Sequence, residues 1–242
     1  MNRDKNIAVF KDTVEQSETK YKYTGTIDNL ATLPVLPSNK GVKVAMPKIH
    51  VSSDDCTVLI DEPHRRGVLI DSASLKHAGG GVRNGSNAQE ECLCRQSNLF
   101  QAIEQLDFPL HNKTYGVYIP EVTFFKHGAA YSYGLLDEPK PVDVLMLFSR
   151  PRNVFKTEDE SYNHHLIAFK SLIMFANKYR VEYVILPPIG SGVFGNDPRT
   201  VARALRDALS AYQLDTVKDI YIACFTKSEN YEAYSEVFPT GV

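Results

Sequence analysis

The 242-residue sequence has no tryptophan, only four cysteines and four methionines, and a net charge of −2, with 27 Lys and Arg against 29 Asp and Glu. No segment approaches the ~18 consecutive apolar residues of a membrane span. A protein that grips nucleic acid through its phosphates carries a basic stripe, so direct nucleic-acid binding is not expected. Any phosphate bound here must be met locally, by backbone amides. Met1 to Phe10 mixes charges with short apolar stretches and has no uninterrupted apolar core of a signal peptide. No membrane association is expected, and the chain is placed in the cytoplasm as a monomer. Cys56, Cys92, Cys94 and Cys224 have neither the density nor the spacing of a disulfide scaffold and read as reduced thiols. Cys92-x-Cys94 lacks the second cluster that a zinc site needs, so neither a metal nor a cofactor is expected.

With 43% apolar and 23% charged residues, the chain can bury a substantial core. Residues 1–50 are polar and punctuated by turn signals at Leu33-Pro34, Leu36-Pro37-Ser38-Asn39 and Met46-Pro47. They read as an N-terminal extension packed on a core that spans 51–242. From Cys56 onward short apolar runs alternate with helical ones. Thr57–Ile60, Gly67–Ile70, Tyr115–Ile119, Val122–Phe125, Val142–Phe148, Tyr183–Leu186 and Ile220–Phe225 read as strands. Helices are expected from about Gln89, from about Glu160 to Tyr179, after the cap Asp197-Pro198, and from Ser228 to Phe238. Strands that are apolar throughout, alternating with helices, imply a mixed, largely parallel sheet covered on both faces.

In such sheets ligands bind beyond the carboxyl ends of strands, and two glycine loops stand there. The first carries Ser74, Lys76, His77, Gly79, Gly80, Gly81, Arg83 and Gly85. Its four glycines within seven residues permit positive φ and let amides approach an anion closely. The second, Gly190-Ser191-Gly192-Val193-Phe194-Gly195-Asn196-Asp197, joins a strand to a helix N-terminus and suits a diphosphate. Neither is a Walker A loop. Gly190-x-Gly192-x-x-Gly195 fits the dinucleotide pattern, but it comes late in the chain and lacks the acidic residue about 20 positions on. Either loop can also be read as a plain tight turn.

Gln89, Glu90 and Glu91 follow the first loop at the start of a helix. Acidic residues are common there because the helix dipole favours them, and that reading needs no function. A carboxyl facing a desolvated, phosphate-lined cleft, however, has a raised pKa and can serve as a general acid. Lys76, His77 and Arg83 are candidate phosphate contacts or simply solvated cations. His164-His165 reads as part of a solvated helix face.

Gly79-Gly80-Gly81, seven residues, then Gln89-Glu90-Glu91 resembles the signature of bacterial-type poly(ADP-ribose) glycohydrolases, a macrodomain family. The likeness continues through Leu93-Cys94-Arg95 and Ser97-Asn98-Leu99, and Gly190 to Pro198 is similar to the family's diphosphate loop. It spans about 56–225 and is faint before that, where Asp12-Thr13 falls in the family's N-terminal helix region. The resemblance implies a three-layer α/β/α macrodomain that takes ADP-ribose, poly(ADP-ribose) or ADP-ribosylated proteins between the two loops. It implies Glu91 as general acid on the ribose–ribose bond, Glu90 orienting the distal ribose and Gln89 supporting both. Gly79 to Gly81 would shape the distal-ribose end, Gly190 to Gly195 would hold the diphosphate, and Phe194 would pack near the distal ribose. Ser74 stands where the family has a ribose-contacting asparagine, and His77-Ala78 where it has Asn-Pro. A module that binds ADP-ribose without cleaving it is the alternative those departures leave open.

Overall fold

A strand buried on both faces must alternate its side chains between two apolar layers, and the long apolar runs of this chain do so. In the computed structural model, which describes residues 2–30, 46–60, 65–110 and 115–239, strand β3 (Gly67–Ala73) sends Val68 and Ile70 to one side and Leu69 and Ala73 to the other. Strand β5 (Leu135–Phe148) divides Leu145 and Leu147 from Val144, Met146 and Phe148 in the same way. So does β6 (Tyr183–Leu186), with Val184 and Leu186 against Tyr183 and Ile185.

Together with β1 (Asp28–Leu30), β2 (Lys48–Ser52), β4 (Gly116–Lys126) and β7 (Asp219–Ala223) these strands form one seven-stranded sheet, ordered β1-β4-β5-β3-β6-β7-β2. The pairs β3–β5, β3–β6, β6–β7 and β7–β2 are parallel, and β1–β4 and β4–β5 antiparallel. Helices α1 (Arg3–Thr19), α2 (Gln89–Gln96) and α3 (Leu99–Ile103) cover one face. Helices α4 (Glu158–Lys178), α5 (Pro198–Ala211) and α6 (Glu229–Val237) cover the other. The expected three-layer α/β/α architecture is what forms. Among the described residues no helix is long and apolar enough to cross a membrane.

Several local expectations change. Thr57–Ile60 is a turn, because Oδ1 of Asp55 accepts from both the amide and the hydroxyl of Thr57, at 2.9 and 2.8 Å, and Val58 points to solvent. The sheet edge is instead β2, just upstream. Tyr115–Ile119 and Val122–Phe125 are one strand, β4, with a register shift at Pro120-Glu121. Arg3–Thr19 forms α1, a helix that the sequence hides because its inward face, Asn6, Phe10, Thr13 and Ser17, is mostly polar. Ser17 Oγ donates back to Thr13 O at 2.8 Å within the helix, and the other polar groups reach across the interface. Asn6 Nδ2 donates to Gly85 O at 3.0 Å, Thr13 Oγ1 donates to Arg95 O at 2.8 Å, and Phe10 packs edge-on against Phe100. Helix α1 therefore braces both the first glycine loop and the end of α2. The turn signals at Leu33-Pro34 and Leu36–Asn39 lie outside the described residues.

Candidate active site

Because β3 and β6 are neighbours and parallel, the loops that leave their carboxyl ends face each other. Between them lies a cleft of about 300 Å³. Asn87, Ala88, Gln89, Cys92 and Gln96 form one wall and Gly190, Gly192, Val193 and Phe194 the other. Ser72, Pro187 and Ala223 lie at the strand ends, and Cys224, Phe225 and Asn230 continue the cleft beyond β7.

The first turn of α2 is sewn to β3 and the glycine loop by side-chain acceptors. Gln89 Oε1 accepts from Ser72 N at 2.8 Å while its Nε2 donates to Ile70 O at 2.9 Å. Glu90 Oε2 accepts from Ser74 N at 3.0 Å. Glu91 accepts from Gly81 N and from Ala88 N, both at 2.8 Å, so it caps its own helix and holds the loop with one carboxyl group. Gly80 explains the triple glycine. Its φ is +57°, and a Cβ there would stand 2.6 Å from Glu91 Oε1 and 3.0 Å from Glu90 Oε2. The loop backbone is pressed directly onto the two carboxyls.

Of the expected site residues, Gln89, Gly190, Gly192, Val193 and Phe194 line this cleft. Glu90 and Glu91 are buried against the first loop, at 4% and 7% exposure, beside the cleft wall rather than on it. Gly79, Gly80 and Gly81 lie with them. Ser74 does not present its hydroxyl to the cleft, since Oγ accepts from the amides of Lys76 and His77. Ser191 is half-buried and Gly195 exposed, both outside the lining. Lys76 and His77 are exposed, and Arg83 turns away to α3, where it lies over the Phe100 ring and pairs with Glu104.

Burial and the neighbouring Asp71 push the Glu90 carboxyl far above the ordinary carboxylate range, against the pull of the Ser74 amide. Asp71, fully buried on β3, is pushed up by burial and by Glu91. It follows directly on the apolar run Val68-Leu69-Ile70 and was not among the expected site residues.

The second loop rests on a buried polar network that replaces the expected solvated histidine face. His165 is fully buried. Its Nδ1 donates to Ser161 O at 2.7 Å, which leaves Nε2 to accept from Ser149 Oγ at 2.9 Å. Ser161 Oγ donates to Asn196 Oδ1, and Asn196 Nδ2 donates to the carbonyls of Arg150 and Gly190, all at 2.9 Å. Gly190, at φ +72°, closes over this network, since a Cβ would meet Ser149 Oγ at 2.2 Å and His165 Nε2 at 2.8 Å. Burial lowers the pKa of His165, and takes that of the partly buried His164 down to about 4 with help from His165. Both imidazoles are neutral supports. Asp197 caps α5 through Thr200 N at 2.7 Å, and this fixes where the loop ends. Behind α2, the buried Arg95 donates to Ser86 O and Asn87 Oδ1, each at 2.8 Å, and to the Tyr133 hydroxyl. These bonds hold the segment that enters the helix.

Similarities to known proteins follow the same lines. The chain spans the crystal structure of poly(ADP-ribose) glycohydrolase (PARG) from Thermomonospora curvata bound to the inhibitor ADP-HPD. The match covers 96% of this chain and 99% of that one, at 21% identity and a TM-score of 0.78. The PARG of the same organism in another crystal structure matches over 97% and 100%, at 20% identity and a TM-score of 0.75. PARG from Deinococcus radiodurans in complex with ADP-ribose matches over 81% and 86%, at 21% identity and a TM-score of 0.66. These likenesses establish the fold. No curated protein matches the sequence. The family model described as microbial-type PARG, catalytic domain, matches residues 2–127, just over half of the 242 and including the first glycine loop with Gln89, Glu90 and Glu91. The chain belongs to the microbial-type PARG catalytic-domain family, whose members are glycosidic-bond hydrolases.

Proposed function

We propose that the protein cleaves the ribose–ribose bond at the end of poly(ADP-ribose) and releases ADP-ribose, with Glu91 as the proton donor to the leaving oxygen. One observation carries this reading: the Gln89-Glu90-Glu91 turn is clamped to β3 and the first glycine loop, across a cleft from the second glycine loop that leads into α5. The amides of the second loop and the N-terminus of α5 favour the two phosphates. That arrangement sets the distal ribose toward α2. Cleavage develops positive charge at the anomeric carbon, and the substrate's own diphosphate stabilises it while the acid protonates the departing oxygen; a solvent water then adds to that carbon and returns a proton to Glu91. Glu90, neutral through burial, orients a ribose hydroxyl, and Gln89 fixes the end of β3 beneath it. Substrate entry exchanges one of the two amide contacts of Glu91, from Gly81 or Ala88, for the leaving oxygen.

The test is product release from labelled poly(ADP-ribose) and from mono-ADP-ribosylated peptide, with ADP-ribose affinity measured by calorimetry. Glu91→Gln is expected to abolish release and to leave ADP-ribose affinity within about threefold, because the amide keeps the shape of the carboxyl and loses its acidity. Release by Glu91→Gln at the wild-type rate removes the assignment.

A further inference from the structure

Asn87 lies on the α2 wall of the cleft, one residue before the cap of that helix, and it is exposed. Its amide is held from behind. Arg95, fully buried, donates from Nη2 to Asn87 Oδ1 at 2.8 Å, and Cys92 Sγ donates to the same oxygen at 3.6 Å. A guanidinium has donors only, so the atom of Asn87 that faces it must be the oxygen. That fixes which end of the amide is which. Nδ2, on the other branch, has no acceptor among the described residues.

The other bonds of Arg95 go to Ser86 O, the Tyr133 hydroxyl and the Cys92 sulfur, and no carboxylate among the described residues pairs with it. A buried cation with no carboxylate beside it projects its charge through the groups it touches. Its N–H on Oδ1 polarises the amide and makes Nδ2 a stronger donor, one that favours an anionic oxygen. Gly190, Gly192, Val193 and Phe194 of the second loop stand across the cleft. The cations that the sequence offered for phosphate do not compete for this place, since Lys76 and His77 are exposed on the first loop and Arg83 turns to Glu104.

We infer that Asn87 is a substrate-binding residue whose Nδ2 donates to a phosphate oxygen of the diphosphate, with Arg95 as the positioning residue that aims it. The diphosphate is gripped from both walls, and the buried guanidinium lends positive charge without entering the cleft. This rests on the reading that the cleft takes ADP-ribose.

The test reads affinity and stability side by side, because the two separate at this residue. ADP-ribose is titrated by calorimetry, inorganic pyrophosphate and adenosine by NMR, and each variant is melted. Asn87→Ala should weaken ADP-ribose and pyrophosphate about tenfold and leave adenosine within about twofold. Asn87→Asp keeps an acceptor for Arg95 but turns a second acceptor to the cleft. It should weaken both phosphate ligands on the order of 100-fold, with a Tm no lower than the wild type. A residue that only kept the wall in shape would lose affinity and stability together. Asn87→Asp binding ADP-ribose as tightly as the wild type overturns the assignment, and so does adenosine weakened as much as ADP-ribose in Asn87→Ala. A wild type that binds pyrophosphate but not ADP-ribose removes the ADP-ribose reading, and the pyrophosphate series then decides the anion contact. A wild type that binds neither overturns both.

Discussion

Adding one methyl group at Gly80 puts the placement of the acid pair to a direct test. In Gly80→Ala the new Cβ would lie 2.6 Å from Glu91 Oε1, and ordinary contact begins at 3.4 Å, so the oxygen must withdraw by about 0.8 Å. Oε2 of Glu90, at 3.0 Å, must give as well. The hydrogen bond from Gly81 N to Glu91 occupies the same space and will lengthen with it. A left-handed φ of +57° adds about 1–2 kcal/mol for an L-residue, and for a chain of this size that is a fall in Tm of roughly 2–8 °C. Misplacement of a reacting group by about 1 Å costs on the order of 100-fold. The expected result is therefore a folded enzyme, slightly less stable, with kcat/KM for polymer cleavage down about 100-fold. Gly134→Ala, away from the cleft, is the control. A Cβ there meets only Tyr131 O at 3.5 Å, an ordinary contact, and activity should hold within about threefold. If Gly80→Ala also holds within about threefold, the carboxyls do not need the geometry described above and the account of the triple glycine is wrong.

Gly190→Ala should destabilise by about 2–4 kcal/mol, because Cβ would sit 2.2 Å from Ser149 Oγ at a φ of +72°. Thermal melts of this variant alone and combined with Ser149→Gly check it, the second change being expected to return part of the loss. His164, with a pKa of 6.5 lowered to about 4 in the folded state, binds its proton more readily when unfolded. Its contribution to stability is complete above pH 6.5 and is lost as pH falls toward 4. The loss is at most about 3 kcal/mol. His164→Gln, which retains a donor for Phe148 O, should flatten that part of a urea-denaturation profile, and a slope equal to the wild type would show that His164 is not the group responsible.

Strand alternation, the glycine loops and the cap at Asp197-Pro198 were readable because each rests on a local rule: apolar continuity, tolerance of positive φ, a side chain that caps an amide. Only the family resemblance at Asp12-Thr13 pointed to a helix near the N-terminus; apolar periodicity did not show α1, since its buried face is Asn6, Thr13 and Ser17 around a single Phe10, and only the partners Gly85 O and Arg95 O make those residues interior. Thr57–Ile60 failed for the reverse reason. Its composition favours a strand, but one carboxylate, Asp55, captures the chain in a turn. The expected solvated faces of His164 and His165 went wrong because the loop they support arrives from residues 190–196, far along the chain. At the site, residue types indicated which groups could act. Their orientation had to come from the fold, which turns Gln89 to the cleft and seats Glu90 and Glu91 behind it.

The adjacency of β3 and β6 also orders events in time. During synthesis Asp71, Gly79 to Gly81 and the two glutamates leave the ribosome long before Tyr183–Leu186 and Gly190 exist. Until β6 arrives to pair Val68 with Val184 and Leu69 with Ile185, one edge of β3 has only bare amides and carbonyls to offer. The nascent chain thus holds a finished acid cluster beside an unfinished sheet, and a nucleotide has nowhere to settle. Capture of ADP-ribose should in consequence be among the last properties the molecule acquires, trailing the appearance of its first three helices.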